Sequence, residues 1–129
     1  MNTQAVQAYS KTLLIVEDEI IIADDIASTA VKHGYNVLEP VFDYTAAVLA
    51  FNKHTPDLVI LDIRLRGGRT GVEFASWIRE RYRTPIIYLS VYDSKAIRQL
   101  VQSTFPFTYL SKPFLNRDLV LAIKQALNT

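Results

Sequence analysis

The chain has 129 residues, half of them apolar or aromatic and 21% charged, with a formal net charge of +1 and no cysteine. That length fits one domain around one core, and the composition excludes a disordered chain. The absence of cysteine excludes disulfide scaffolds, thiolate metal sites and cysteine nucleophiles, while the near-zero charge gives no broad attraction to nucleic acid. No apolar run approaches the roughly 18 residues of a membrane span, and Met1 to Lys11 lacks the apolar stretch of a signal peptide. A cytoplasmic location, with neither nucleic acid nor membrane as partner, is the default expectation.

Residues 1–11 read as a loosely attached extension and 12–129 as the domain. Along the domain, short apolar runs alternate with helical patterns, as βα units around a parallel sheet do. The first run is Thr12 to Val16, and a helix near Ile20 to Lys32 follows, with Ile22, Ile26, Ala30 and His33 on one face and Gly34 as a left-handed cap. His33 reads as a helix-end cation. The second run, Asn36 to Pro40, leads to a helix over about Thr45 to Asn52 that Asp43 can cap and that stops before Thr55-Pro56.

The third run, Leu58 to Leu61, is followed by a glycine-rich loop and a helix over about Val72 to Tyr82, whose Phe74 and Trp77 suit core packing. Gly67, Gly68 and Gly71 make a poor phosphate loop, because they follow the third run and lack a Lys-Ser or Lys-Thr partner. The fourth run, Ile86 to Leu89, precedes a helix near Lys95 to Ser103 capped by Asp93 or Ser94. The fifth, Phe107 to Leu110, precedes a helix over about Arg117 to Leu127 capped by Asn116. Arg64, Arg66, Arg69, Arg79, Arg81 and Arg83 read as a solvated loop and helix face, with partner docking as the second reading.

Five such units imply an α/β fold, a doubly wound parallel sheet with helices on both faces and right-handed crossovers. Ligands of such sheets bind beyond the carboxyl ends of the strands. Glu17 and Asp18 stand after the first run, Asp62 after the third, Ser90 after the fourth and Lys112-Pro113 after the fifth. Three converging carboxylates repel one another unless a hard cation sits among them, which predicts Mg²⁺ bound directly by Asp18 and Asp62 and through water by Glu17. Lys112 and Ser90 suit a phosphoryl group at the same place, and Asp62, ending the most apolar strand, is the candidate nucleophile. Taken singly, each such aspartate also reads as a helix cap or turn residue.

Together, Leu14-Ile15-Val16-Glu17-Asp18-Glu19, Pro56-Asp57-Leu58-Val59-Ile60-Leu61-Asp62, Tyr88-Leu89-Ser90 and Tyr109-Leu110-Ser111-Lys112-Pro113-Phe114 closely resemble the receiver domain of two-component response regulators. The resemblance runs from about Thr12 to Leu127. It implies a flavodoxin-like (βα)5 fold of five strands in the order 2-1-3-4-5. It further implies that Asp62 takes a phosphoryl group from a sensor histidine kinase or phosphotransfer protein, with Mg²⁺ held by Asp18, Asp62 and the backbone carbonyl of Arg64. Lys112 would pair with the phosphate across a cis Lys112-Pro113 bond. Ser90 and Tyr109 would form the switch, repacking a face of the fourth helix, fifth strand and fifth helix that also serves for a homodimer.

The resemblance makes the chain a switch that catalyses only its own phosphorylation and dephosphorylation. Its departures are Glu17 in the acidic pair, Val91 after Ser90, and Arg64 and Tyr92 overhanging the site, which together predict slow turnover of the phosphoaspartate. A receiver-like interaction or dimerisation module acting without phosphate is the alternative. A phosphatase of the haloacid dehalogenase type fits less well, because Arg64 stands where its second aspartate belongs. So does a flavodoxin, because Glu17-Asp18-Glu19 replaces its phosphate loop.

Overall fold

The computed structural model describes residues 10–65, 69–91 and 95–128. The strands are β1 (Thr12–Val16), β2 (Asn36–Val37), β3 (Leu58–Asp62), β4 (Ile86–Ser90) and β5 (Phe107–Ser111). All pair in parallel, in the order β2-β1-β3-β4-β5 that the resemblance implies. Between them lie α1 (Ile20–Lys32), α2 (Tyr44–His54), α3 (Gly71–Arg79) and α4 (Lys95–Val101), which runs into a 3-10 turn at Gln102–Thr104. Helix α5 (Asn116–Leu127) closes the domain. The strand order reverses between β1 and β3, so the crevice of the fold opens where Glu17, Asp18 and Asp62 stand.

Alternate strand residues face opposite layers, and both are apolar because helices cover both faces. Leu13, Ile15, Leu58, Ile60, Ile87 and Leu89 pack with Ala23, Ile26 and Ala30 of α1 and Leu119, Ala122 and Ile123 of α5. Leu14, Val16, Val59, Leu61, Ile86 and Tyr88 pack with Phe51 of α2, Phe74 and Ile78 of α3 and Val101 of α4. As expected, Phe74 is buried and Trp77 packs on that layer, with the two rings stacked at 5.9 Å.

Helix α1 ends in a Schellman arrangement, with Tyr35 N–H on Ala30 O and Gly34 N–H on Val31 O, and Gly34 at φ 91° supplies the left-handed residue. His33 sits at this helix end, its Nδ1 2.9 Å from Thr29 O. Helix α2 starts at the Asp43 cap, whose carboxylate accepts from Ala46 N–H, and ends at Thr55 with φ 40°.

Four readings of the sequence need correction. The run Asn36 to Pro40 pairs regularly only over Asn36–Val37, because Pro40 has no N–H to donate. Pairing resumes at Val41, so Leu38 and Val41 donate to Leu13 and Ile15, three residues against two. Asn116 is not the cap of α5 but its first residue; Leu115 holds the cap position and its side chain makes no cap bond. Helix α3 ends at Arg79 rather than near Tyr82, and starts with a capping box in which Thr70 and Glu73 bond each other's backbone N–H. Arg79 is not part of a solvated face but half-buried, donating to three backbone carbonyls. The N-terminal residues 1–9, the candidate caps Asp93 and Ser94, the overhanging Tyr92, and Arg66, Gly67 and Gly68 lie outside the described residues.

Candidate functional site

The strand registers Val16 with Leu61, Asp62 with Leu89 and Ser90 with Ser111 bring four strand ends level at one rim. Lys112 backbone N–H donates to Ser90 O at 2.8 Å, so the β5 end is tied to the β4 end. The rim encloses a cleft of about 350 Å³ lined by Asp18, Glu19, Asp62, Arg64, Ser90, Val91 and Lys112. Val91 is exposed at its mouth, where the sequence placed it.

Lys112 Nζ stands 2.5 Å from Glu17 Oε1 and 3.2 Å from Asp62 Oδ2. Asp62 Oδ1 accepts Arg64 N–H at 3.0 Å, and Glu17 Oε2 accepts Glu19 N–H at 3.2 Å, so backbone amides fix both carboxylates. Glu17 is fully buried, whereas Asp62 keeps a narrow exposure and Asp18 is half-buried. Burial, reinforced by the neighbouring Asp62 carboxylate, pushes the Glu17 carboxyl up to about 7 against the pull of Lys112. Burial alone would lower the Lys112 ammonium, but Glu17 and Asp62 outweigh it and hold it above its ordinary value. One ammonium thus serves more carboxylate than it neutralises.

That deficit fits a cation. Glu17, Asp18 and Asp62 each offer an oxygen within 4.8 Å of the others. Glu17 Oε1 is fully buried, with the Lys112 ammonium against it as its ion-pair partner. An all-oxygen set open on the cleft side is the donor chemistry of Mg²⁺, which keeps part of its water shell.

Helix α3 presses directly on the Asp62 backbone. Gly71 N–H donates to Ile63 O at 2.7 Å, and a Cβ at Gly71 would meet Asp62 O at 2.0 Å. From the sequence Gly71 reads only as a residue of the glycine-rich loop. The Thr70–Glu73 signal of a helix start was present and would have placed Gly71 at the first helical position, against the strand it follows.

Ser90 and Tyr109 belong to the other side of the rim. Both alternate onto the layer of α2, α3 and α4, with Ser90 buried and Tyr109 half-buried, its ring centroid 6.2 Å from that of Tyr88. Glu17, Asp62 and Lys112 continue the alternation that faces α1 and α5. The site therefore straddles the rim, with charge from one layer and hydroxyls from the other. The Lys112-Pro113 bond is cis, as the resemblance implies.

The response regulator receiver domain family model matches residues 13–124. A transcriptional regulatory protein of Mycobacterium tuberculosis, PdtaR, is 32% identical over 127 residues, covering 98% of this chain. The chain spans about 62% of that relative's length. Among solved structures, Vibrio cholerae chemotaxis protein CheY4 superposes with a TM-score of 0.85 at 28% identity, covering 92% of this chain and 99% of that one. The signal receiver domain of a modulated diguanylate cyclase from Desulfovibrio desulfuricans gives 0.84 at 29% identity, over 92% and 94% of the two chains. With the strand order, the carboxylate cluster and the lysine already in place, the match leaves one assignment: the chain belongs to the response regulator receiver domain family of two-component signal transduction, whose members are phosphoacceptor switches and not classical enzymes.

Proposed function

We propose that Asp62 accepts a phosphoryl group from a sensor histidine kinase or a phosphotransfer protein, with Mg²⁺ held by Asp18, Asp62 and the Arg64 carbonyl and with Glu17 acting through water. The observation that carries this reading is the Lys112 ammonium lying against both Asp62 and the buried Glu17 at the mouth of an open cleft. An Asp62 carboxylate oxygen forms the new P–O bond while the P–N bond of a phosphohistidine breaks and the imidazole leaves with the electron pair. Bound Mg²⁺ supplies neutralisation of the phosphoryl oxygens. Lys112 turns from Asp62 towards the phosphate, Ser90 donates its hydroxyl to it, and the Arg64 amide keeps the carboxylate aimed.

A groove of about 490 Å³ lined by Ile21, Ile22, Val91, Pro113 and Phe114 shares Lys112 with the site and supports docking of the phosphoryl donor there. Ser90 and Tyr109 then shift the face of α4, β5 and α5, which is read by a partner or by a second copy of the chain. Arg64 and Val91 at the cleft mouth favour slow loss of the phosphoryl group. The receiver unit runs over 12–129, with 1–11 as an extension, and works in the cytoplasm.

The test is intact mass after incubation with acetyl phosphate, with and without Mg²⁺, on the wild type and Asp62→Asn. A Mg²⁺-dependent gain of one phosphoryl mass, lost in the variant, is the expected result. No gain in the wild type, or an equal gain in the variant, overturns the reading.

A further inference from the structure

The start of α3 is tied to the Asp62 carboxylate through a single peptide group. Ile63, the residue after β3, is held from two sides: its N–H donates to Leu89 O of β4 at 3.1 Å, and its carbonyl accepts Gly71 N–H at 2.7 Å. The peptide that carries this carbonyl also carries the Arg64 N–H, which donates to Asp62 Oδ1 at 3.0 Å. That peptide is trans and planar, with C=O and N–H on opposite sides, so whatever turns the Ile63 carbonyl turns the Arg64 amide by the same angle. Gly71 therefore helps to aim the amide that grips Asp62. The other carboxylate oxygen, Oδ2, faces the Lys112 ammonium at 3.2 Å.

Gly71 is itself held by the reciprocal cap of α3. Thr70 Oγ1 accepts Glu73 N–H at 3.2 Å, and Glu73 Oε1 accepts Thr70 N–H at 3.3 Å. These two bonds close a ring around Gly71 and Val72 and set the direction in which the Gly71 N–H leaves the helix. Arg64 and Thr70 oppose each other as an isolated antiparallel bridge, so strand exit and helix entry lie side by side. There is no slack between them, since not even a methyl group fits between Gly71 and Asp62 O. Farther out, the Arg69 guanidinium lies 4.3 Å from the centre of the Tyr44 ring and 3.6 Å from Glu73 Oε2. Both charged side chains are about half exposed, water screens the pair, and Arg69 is peripheral to the tie. All of these residues belong to the described chain.

We propose that Thr70 and Glu73 are positioning residues for the acceptor, acting through Gly71 and the Ile63–Arg64 peptide to set the angle of the Asp62 carboxylate. Neither residue lines the cleft, so the cap serves the site from behind the strand end. This rests on Asp62 being the acceptor.

The experiment uses the whole chain as wild type, Thr70→Val, Thr70→Ser and Arg69→Ala. Valine keeps the branched shape and removes the accepting oxygen, whereas serine keeps the oxygen. Three quantities are read: the urea midpoint, the rate of acetyl phosphate labelling per folded molecule at saturating Mg²⁺, and the proton shift of the Arg64 amide in ¹⁵N-resolved spectra without a phosphoryl donor. In Thr70→Val the labelling rate falls about fivefold and the Arg64 amide proton moves upfield as its bond to Asp62 lengthens. Thr70→Ser restores both, and Arg69→Ala resembles the wild type. A lowered urea midpoint in Thr70→Val with rate and amide shift unchanged overturns the proposal and leaves the cap a purely structural feature. So does a loss in Arg69→Ala equal to that in Thr70→Val, or a failure of serine to restore, because general loosening of the connection then accounts for the effect. If the wild type takes no adduct, the acceptor reading fails; the amide shift needs no phosphoryl group and still decides whether the cap sets the carboxylate.

Discussion

Against α1 and α5 the sheet presents Leu13, Ile15, Leu58, Ile60, Ile87 and Leu89, an aliphatic surface met by alanine, leucine and isoleucine. Against α2, α3 and α4 it presents a layer in which Phe51, Phe74 and Tyr88 are buried, Trp77 and Tyr109 are partly so, and Tyr88 and Thr104 carry paired hydroxyls. Aliphatic packing is non-directional and stabilises whichever residues fill it, whereas rings and hydroxyls hold particular orientations. The first layer gives the domain stability and backs the charged half of the site. The second carries Ser90 and Tyr109 and is held by oriented ring and hydroxyl contacts.

Two substitutions sharpen that contrast. Ile26→Ala, a fully buried change on the aliphatic layer, is expected to cost roughly 3–4 kcal/mol in urea denaturation, with acetyl phosphate still labelling the folded fraction. Loss of labelling at equal folded fraction would show that this layer is not passive. Gly71→Ala forces α3 away from the Asp62 backbone. Its expected cost is smaller, about 2–3 kcal/mol, but labelling falls at least tenfold because the acceptor itself is displaced. Unchanged labelling would mean the helix yields without moving Asp62.

The charged half of the rim gives the next effect. Glu17 holds its proton to about pH 7 in the fold against 4.5 in the unfolded chain, so its contribution to stability is full below 4.5 and is lost as the pH rises through 7. In metal-free protein this amounts to on the order of 2–3 kcal/mol. Denaturation midpoints measured between about pH 5 and 8 should fall in the wild type, stay level in Glu17→Gln, and lose their slope when saturating Mg²⁺ is added. A wild-type midpoint that rises with pH would reverse the assignment. The smallest effect lies far from the rim: Thr55, a β-branched residue at φ 40°, gains about 0.5–1 kcal/mol on replacement by glycine, with labelling unaltered.

The sequence revealed most of the strands, because runs such as Leu58-Val59-Ile60-Leu61 are buried on both faces and stand out as unbroken apolar stretches. It placed Glu17, Asp62 and Ser90 at strand ends because each directly follows such a run. What escaped depends on distance in the chain. Tyr88 and Thr104 are 16 residues apart and Arg79 and Pro106 are 27 apart, and neither pair leaves a periodic trace. Asn116 misled because a residue of capping type can equally be the first of the helix, and only its backbone angles decide.

The pairing that breaks at Pro40 acts beyond the fold of one chain. β2 is an outer strand of the sheet, and an outer strand with a regular row of free amides is a template on which further chains can stack. The missing Pro40 amide faces β1, where it stops the regular pairing, so β2 stays two residues long with an offset at Val41 and its outer edge is too short to present such a row. At the concentrations a signalling protein reaches when overproduced, that margin resists edge-to-edge aggregation, and replacing Pro40 with a β-former would remove it.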